Sequence, residues 1–216
     1  MKKPAAFLLL SMSCLLLVYY TGTLAPNYGV IAPDSPVELG GSPVAASALA
    51  SRFEPLLSGE AASACWFEPL PPKDGRMAVL YRFSWPDERH PIAALHYVYA
   101  LWRSVYFGSR QDIEYVWVEA DLKTGKPVRV AFESPDVGKV FVNHDFNLLD
   151  RFPMQGTHPL LKVASWNHIF QTVSGERGSV VGEAVPLQFL DDAAFRDLRM
   201  GRRSLPPTVL LVQSPS

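Results

Sequence analysis

The sequence predicts a β-rich α+β protein, an antiparallel β-sandwich with peripheral helices, preceded by an N-terminal signal or anchor helix. Three observations support this prediction: strand-like alternation of large apolar residues, a hairpin pattern around a glycine, and an apolar run at the N-terminus. Hydrophobic residues make up 48% of the 216 residues, which is enough to bury a core. The formal net charge is −1 and the sequence has no basic stripe, so nothing favours nucleic-acid binding.

The first segment of the chain predicts export. Lys2 and Lys3 precede a mostly apolar run over 5–20, which is typical of a signal peptide or of an uncleaved membrane anchor. Residues 5–24 are about as long as a helix that spans a bilayer, and both interpretations stay open. Either one predicts that residues 1–24 are a leader and that the rest lies on the non-cytoplasmic side. An anchor would keep the domain on the membrane, whereas cleavage would leave it secreted or periplasmic.

The next segment, 25–44, is rich in proline and glycine and predicts an extended linker. The exported sandwich domain is then expected to occupy residues 45–216.

Alternating apolar residues predict the main strands. Over 77–85 large apolar side chains occupy every second position, and Pro86 ends the pattern. Residues 113–120 and 127–133 read as a hairpin, because Gly125 between them can supply the positive φ of a turn. Further strands are predicted at 139–142, 160–165, 180–185 and 208–213.

Helices are predicted at 46–57, 91–107 and 191–200. In the second helix Pro91 and Gly108 suit the two ends, although its tyrosines would also suit a strand. Apolar residues recur there at helical spacing: Leu95, Val98, Leu101, Trp102 and Val105. His96 and Arg103 lie a heptad apart on the polar side, which we expect to face solvent.

Sequence motifs of several common enzyme classes are absent, including Cys-x-x-Cys, His-Glu-x-x-His, a phosphate-binding glycine loop and Gly-x-Ser-x-Gly. The strongest local pattern is instead an acidic pair at the start of a predicted strand. Asp112 and Glu114 are two residues apart, so both project from the face that continues with core-directed valines. Buried carboxylates are costly unless they are paired or bound to a cation.

A hard cation such as Ca²⁺ or Mg²⁺ would satisfy these acids with oxygen ligands, and no other cofactor is predicted. Glu88 (or Asp87), just beyond the preceding strand, would add a third acid. The candidate metal ligands are therefore Glu88, Asp112 and Glu114.

Two other interpretations of the acids remain open. An arginine, Arg110, Arg82 or Arg103, would neutralise them as an ion pair, or they would lie at an exposed strand tip. Of the five histidines, His168 is the best candidate to join the acids, since it follows a predicted strand and the polar sequence Ser-Trp-Asn.

Residues 81–88, Tyr-Arg-Phe-Ser-Trp-Pro-Asp-Glu, and residues 108–114, Gly-Ser-Arg-Gln-Asp-Ile-Glu, resemble the necrosis- and ethylene-inducing-like protein superfamily. In that family an aromatic strand ends in Pro-Lys-Asp and the heptapeptide Gly-His-Arg-His-Asp-Trp-Glu follows. The resemblance covers roughly residues 77–170 and implies a secreted β-sandwich. Toxins of the family hold a divalent metal with an aspartate, a histidine and the heptapeptide acids, and they bind glycosylated sphingolipids on target membranes.

The resemblance places Asp112 and Glu114 at the two heptapeptide acids and Glu88 at the upstream aspartate. Residues 158–168 are similar to a family strand that ends in a histidine near the site.

Departures from the family pattern are equally specific. Ser109 and Gln111 stand where the family has histidines, and Ile113 replaces the tryptophan. The predicted helix 91–107 also separates the two motifs, and these differences argue against toxin action.

Together these residues predict a non-catalytic, exported or membrane-tethered binding or structural module. Its degenerate acidic pocket would take a small ligand, a cation or an envelope component, and its N-terminal segment would contact the membrane. One alternative is a hydrolase in which Asp112 or Glu114 acts as general base with His168 assisting. Another is a membrane-active protein of the necrosis-inducing-like type.

Overall fold

Two main β-sheets, a short hairpin and three helices make up the described part of the chain. The computed structural model describes residues 28–106, 110–135, 144–173 and 183–197. Its elements in chain order are β1 Pro36–Leu39, β2 Ser42–Ala45, α1 Ala46–Phe53, β3 Leu56–Ser58, β4 Ala64–Pro69, β5 Arg76–Trp85, α2 Ala93–Tyr106, β6 Asp112–Asp121, β7 Lys126–Pro135, β8 His144–Leu149, β9 Met154–Gln155, β10 His158–Val163, β11 Phe170–Thr172, β12 Leu187–Phe189 and α3 Asp192–Asp197.

The larger sheet has the strand order β12-β4-β5-β6-β7-β8, and β4 to β8 form an antiparallel meander. The smaller sheet has the order β11-β10-β3, with β9 beside β10. Two pairs are parallel, β12 with β4 and β10 with β3, so the predicted antiparallel sandwich is in fact mixed. Parallel neighbours need a long crossover, and here each pair joins segments more than a hundred residues apart.

The main core lies between the two sheets. Along β5, Val79, Tyr81 and Phe83 point into this core, because successive side chains of a strand face opposite sides. Leu161 and Phe170 of the smaller sheet meet them there, and both are fully buried. The β-sandwich prediction is therefore confirmed in its coarse form.

Most predicted elements are present with shifted ends. Strands 77–85, 113–120, 127–133 and 160–165 correspond to β5, β6, β7 and β10. Helix 46–57 is shorter than predicted and ends at Phe53, because Pro55 cannot continue a helix. Gly125 has φ 65°, the left-handed conformation expected in the β6–β7 turn.

Other predictions fall partly or wholly outside the described residues. This is the case for strands 139–142 and 208–213, for the start of strand 180–185, for the end of helix 191–200 and for leader 1–24. Within 183–185 the structure shows an isolated bridge from Glu183 to Leu57. No helix within the described ranges is both long and apolar enough to cross a membrane.

The segment predicted as an extended linker contains regular structure. Strands β1 and β2 form a hairpin at residues 36–45, and Val37 is only 3% exposed against the main core. Pro36 and Pro43 fit the hairpin because it is only two strands wide, where a missing N–H is tolerated. The folded domain therefore begins before Ala45.

Helix α2 is turned opposite to its predicted orientation. Its apolar residues Leu95, Val98, Leu101 and Val105 are 41–78% exposed. Its polar side chains point towards the strand ends instead, and the Arg103 side chain is only 11% exposed. The prediction that this polar side faces solvent is wrong, because Asp112 of β6 and Glu88, which follows β5, bind it.

Candidate acidic site beneath helix α2

Asp112 is the centre of a buried ionic cluster. It is the first residue of β6, pairs with Trp85 at the end of β5, and is 4% exposed. One carboxylate oxygen, Oδ2, lies 2.8 Å from His168 Nδ1, and the other, Oδ1, accepts a hydrogen bond from Arg103 Nη2 at 3.2 Å. A carboxylate only accepts, so the first contact places a hydrogen on Nδ1 of the imidazole.

Arg103 links two carboxylates. Its Nη1 forms an ion pair with Glu88 Oε2, while its Nη2 reaches both Asp112 and the carbonyl oxygen of Gln111, the latter at 2.9 Å. Tyr99, one helical turn earlier in α2, donates a hydrogen bond to Glu88 Oε1 at 2.8 Å. The pKa of the Tyr99 hydroxyl is raised to about 12 by burial, with the charges of Asp112 and Glu114 adding to the shift.

Glu114 lies on the same side of β6 and is 7% exposed. Burial raises the pKa of its carboxyl well above the usual value, and the neighbouring charge of Asp112 raises it further. Arg103 acts in the opposite direction with a smaller effect. Glu114 therefore favours its protonated form.

His168 is held in an unusual backbone conformation. Its φ is 57°, in the left-handed region that non-glycine residues rarely adopt. The imidazole stacks on the indole of Trp85, with ring centroids 4.4 Å apart and planes within 9°. Its Nε2 lies 3.4 Å from Oε1 of Glu60, whose side chain is 67% exposed. Such strained residues cost about 1–3 kcal/mol and cluster at functional sites.

A second ionic group borders the cluster. Asp87 Oδ2 accepts a hydrogen bond from Arg110 Nη2 at 2.5 Å, and the ring of His96 approaches the same oxygen at 4.0 Å. Asp87 is thus held in a separate pair, and Glu88, not Asp87, belongs with Asp112.

The structure brings together most of the candidate residues. Asp112 contacts His168 directly, and Arg103 links Glu88 to Asp112. The charge of Asp112 acts on the carboxyl of Glu114. The acids do not lie at an exposed strand tip. Their role as site residues stays a prediction.

Each of the three candidate arginines has an acidic partner. Arg103 and Arg110 bind acids of this region, whereas Arg82 pairs with Glu68 at 2.7 Å on the opposite face of the sheet. Burial alone would lower the pKa of Arg82, but Glu68 keeps it raised. The interpretation in which an arginine neutralises the acids as an ion pair therefore agrees with the observed contacts of Arg103.

Sequence reasoning missed Tyr99 and Glu60. His96, Tyr99 and Arg103 are spaced so that all three lie on one side of a helix. This spacing could have identified Tyr99 as a residue of the site. No sequence pattern could have identified Glu60, because it lies in a loop that is distant in sequence from the other residues of the site.

Two of the three candidate metal ligands, Glu88 and Asp112, are engaged in ion pairs with Arg103, and a role of the set in holding a divalent cation stays a prediction. Within the described ranges no group of three or more His, Cys, Asp or Glu side chains is placed to hold a metal ion. The guanidinium of Arg103 binds both Glu88 and Asp112 and supplies the positive charge itself.

Comparisons with known proteins return solved structures of necrosis and ethylene-inducing-like proteins. "NLPPya in complex with glucosamine" is 16% identical over 81% of this chain and 84% of its own, with a TM-score of 0.47. "Non-toxic HaNLP3 protein" is 15% identical over 78% and 85%, with a TM-score of 0.47. Necrosis and Ethylene inducing Protein 2 from the agent of cocoa's Witches Broom disease is 14% identical over 74% and 80%, with a TM-score of 0.42.

No family model matches the chain, and no curated protein matches it. The printed names of these structures are those of the superfamily that the two sequence motifs resemble. At these identities the likeness concerns the fold.

Proposed function

We propose that the chain is a non-catalytic, exported or membrane-tethered binding module that recognises a small ligand with an ammonium or hydroxyl group. One observation carries the proposal. His168 Nε2 faces the Glu60 carboxylate at 3.4 Å, while the hydrogen of the ring is placed on Nδ1 by Asp112. With the ring hydrogen on Nδ1, Nε2 and the Glu60 carboxylate are both acceptors, so a donor placed beside the pair can bond to both.

The surroundings suit recognition rather than chemistry. The imidazole is fixed by Asp112 on one nitrogen and by Trp85 across its ring, so little conformational freedom is lost on binding. Glu88 and Asp112 share the guanidinium of Arg103, and Glu60 adds a third carboxylate beside His168, so acidic groups outnumber the one guanidinium. A cationic ligand would be attracted to this region.

The test is calorimetric titration of the full chain with glucosamine and mannosamine, which are bound in two similar structures. N-acetylglucosamine is the matched ligand without an ammonium group. We expect Glu60→Gln to weaken glucosamine binding about tenfold, since hydrogen bonds to charged groups contribute about 1.5–3 kcal/mol. Glu38→Gln, an exposed acid on β1, is the control variant. Absence of heat with both amino sugars, or equal affinity after Glu60→Gln, would reject the proposal.

A hydrolase is the second candidate, favoured by the geometry of Asp112 and His168. A histidine held by a carboxylate at 2.8 Å and strained at φ 57° has the arrangement of an oriented general base. The test is hydrolysis of 4-nitrophenyl acetate by wild type, His168→Gln and Glu60→Gln. Turnover that disappears only with His168→Gln would favour the hydrolase, whereas equal rates for the three proteins would reject it.

A further inference from the structure

Two loops that leave the smaller sheet at the same end bring Glu60 and His168 together. Strands β3 and β10 are parallel neighbours over the whole length of β3. Because parallel strands run in one direction, the segments that follow them, 59–63 and 164–169, leave the sheet side by side. The approach of His168 Nε2 to Glu60 Oε1 at 3.4 Å is therefore a contact between these two loops.

The loop that carries His168 is closed by hydrogen bonds of its own. Ala164 N donates to the carbonyl oxygen of Ile169 at 2.9 Å, and His168 N donates to that of Ser165 at 3.1 Å. The Ser165 hydroxyl oxygen also accepts a hydrogen bond from Ile169 N at 3.0 Å. These contacts fix His168 from within its loop, so its distance to Glu60 depends on the course of the other loop.

The loop that carries Glu60 is anchored at its far end. Ser63 donates hydrogen bonds to the carbonyl oxygen of Ser84 from its backbone N–H, at 2.8 Å, and from its hydroxyl, at 2.9 Å. Because Ser63 is fixed to β5, a displacement at Gly59, where the loop begins, would be taken up by residues 60–62. Glu60 is the first of these residues.

Gly59 has a backbone conformation and surroundings that suit only glycine. Its φ is 99°, a value that residues with a side chain rarely adopt. A Cβ atom on residue 59 would lie 3.1 Å from the carbonyl oxygen of Val163 and 3.6 Å from the Cβ atom of Val163. This oxygen belongs to the backbone of β10, which cannot rotate away as a flexible side chain could. A larger residue would therefore push the chain at 59 away from β10 and carry Glu60 with it.

We propose that Gly59 is a positioning residue of the ligand site, where its lack of a side chain places Glu60 against His168. This role rests on the proposed function, because a ligand site at Glu60 and His168 is its premise. Gly59 acts through the carboxylate of Glu60 and contributes no side-chain contact of its own.

Gly59→Ala in the full chain is the test, and Gly156→Ala is its matched control. Gly156, in the turn before β10, also has a positive φ, 67°, but a Cβ atom there would meet nothing within 4 Å. The ¹⁵N chemical shift of His168 Nε2 responds to the nearby Glu60 carboxylate without any ligand. We expect this shift in Gly59→Ala to move from the wild-type value towards that of Glu60→Gln, whereas Gly156→Ala keeps the wild-type value.

Calorimetric titration with glucosamine tests the consequence for binding. We expect Gly59→Ala to weaken binding about tenfold, as much as Glu60→Gln does. The double variant Gly59→Ala/Glu60→Gln should bind no more weakly than Glu60→Gln alone, because both changes remove the same contact. Gly156→Ala should bind as wild type does.

The outcomes separate the role of Gly59 from the ligand site itself. An unchanged Nε2 shift in Gly59→Ala, additive losses in the double variant, or equal effects of the two alanine variants would overturn this role. A Gly59→Ala chain that does not fold, as judged by circular dichroism, would also overturn it, because residue 59 would then serve the whole domain. If the wild type binds no amino sugar, the proposed function fails, while the Nε2 shift decides separately whether Gly59 places Glu60.

Discussion

Glu114 couples the stability of the domain to pH through a single carboxyl. Burial and the neighbouring Asp112 raise the pKa of this group in the folded state. The folded protein therefore keeps a proton that the unfolded chain loses above about pH 4.3, so the free energy of unfolding falls as the pH rises between these two pKa values. The loss is at most about 1.4 kcal/mol per pH unit.

Glu114→Gln removes this titration while keeping the shape of the side chain. We expect urea unfolding to show that the variant gains stability relative to wild type as the pH rises from 5 to 8. Glu38→Gln, at an exposed position, should leave the wild-type profile unchanged. A constant difference between Glu114→Gln and wild type across this range would contradict the assignment.

Arg103 is the residue whose removal should cost most in the cluster. Arg103→Met keeps an unbranched stem of similar length to the apolar part of arginine but leaves Glu88 and Asp112 buried without their shared counter-charge. Breaking a buried pair in this way costs about 3–5 kcal/mol, which denaturant unfolding would measure.

The matched control is Arg110→Met, whose partner Asp87 lies in a half-exposed pair worth less than about 1 kcal/mol. If the two arginine variants lost equal stability, Arg103 would not be the main counter-charge. Adding Glu88→Gln to Arg103→Met should recover part of the loss, because one uncompensated charge is then removed.

At the scale of elements, the hairpin β1–β2 occupies a segment whose composition predicts a linker. Proline and glycine between 25 and 44 predicted an extended linker, but Val37 fills a position in the main core. The glycines lie at the hairpin turn, where Gly40 and Gly41 have φ 59° and 84°. Proline and glycine are typical both of linkers and of tight turns. Only the packing of Val37 against the main core distinguishes the hairpin from a linker.

Truncation of Val37 tests whether the hairpin belongs to the domain. Val37→Ala should lower the free energy of unfolding by about 1–3 kcal/mol, since buried methyl groups and a residual cavity are both lost. Glu38→Ala, on the exposed side of the same strand, should change it by less than about 0.5 kcal/mol. Equal, small effects in thermal unfolding would place the hairpin outside the cooperative unit.

Helix α2 shows a different limit of sequence reasoning. The periodicity of its apolar residues correctly predicted a helix but not which side faces the protein. The inward side is decided by Glu88 and Asp112, which lie outside the helix and bind Arg103 and Tyr99. Residues 112 and 114 were placed on one inward face by strand alternation alone, whereas the approach of His168 and Glu60 depends on loops without a local pattern.

At the scale of the whole molecule, one core joins the two sheets. Leu161 and Phe170 of the smaller sheet pack among Phe83 and Val116 of the larger sheet, so neither sheet buries its apolar face alone. Strands β3 and β10 are paired across about a hundred residues of chain, which ties the beginning of the domain to its second half. The alternation of apolar residues along single strands predicted a two-layered sandwich. No local sequence pattern indicates the parallel pairs, because their strands are about a hundred residues apart.

This shared core predicts that the domain unfolds as one unit. Tryptophans buried on both faces of the larger sheet, Trp85 with the main core and Trp117 on the outer side, should lose their environments at the same denaturant concentration. We therefore expect intrinsic fluorescence and far-ultraviolet circular dichroism to give coincident transitions with equal slopes. Variants Trp85→Phe and Trp117→Phe, measured separately, should each keep this coincidence, because each still reports the four remaining tryptophans. Two results together would contradict this expectation: different fluorescence midpoints for Trp117→Phe and Trp85→Phe, and two steps in circular dichroism. The two sheets would then unfold independently. The hairpin, α2 and the acidic cluster would each have to be assigned to one of the two sheets.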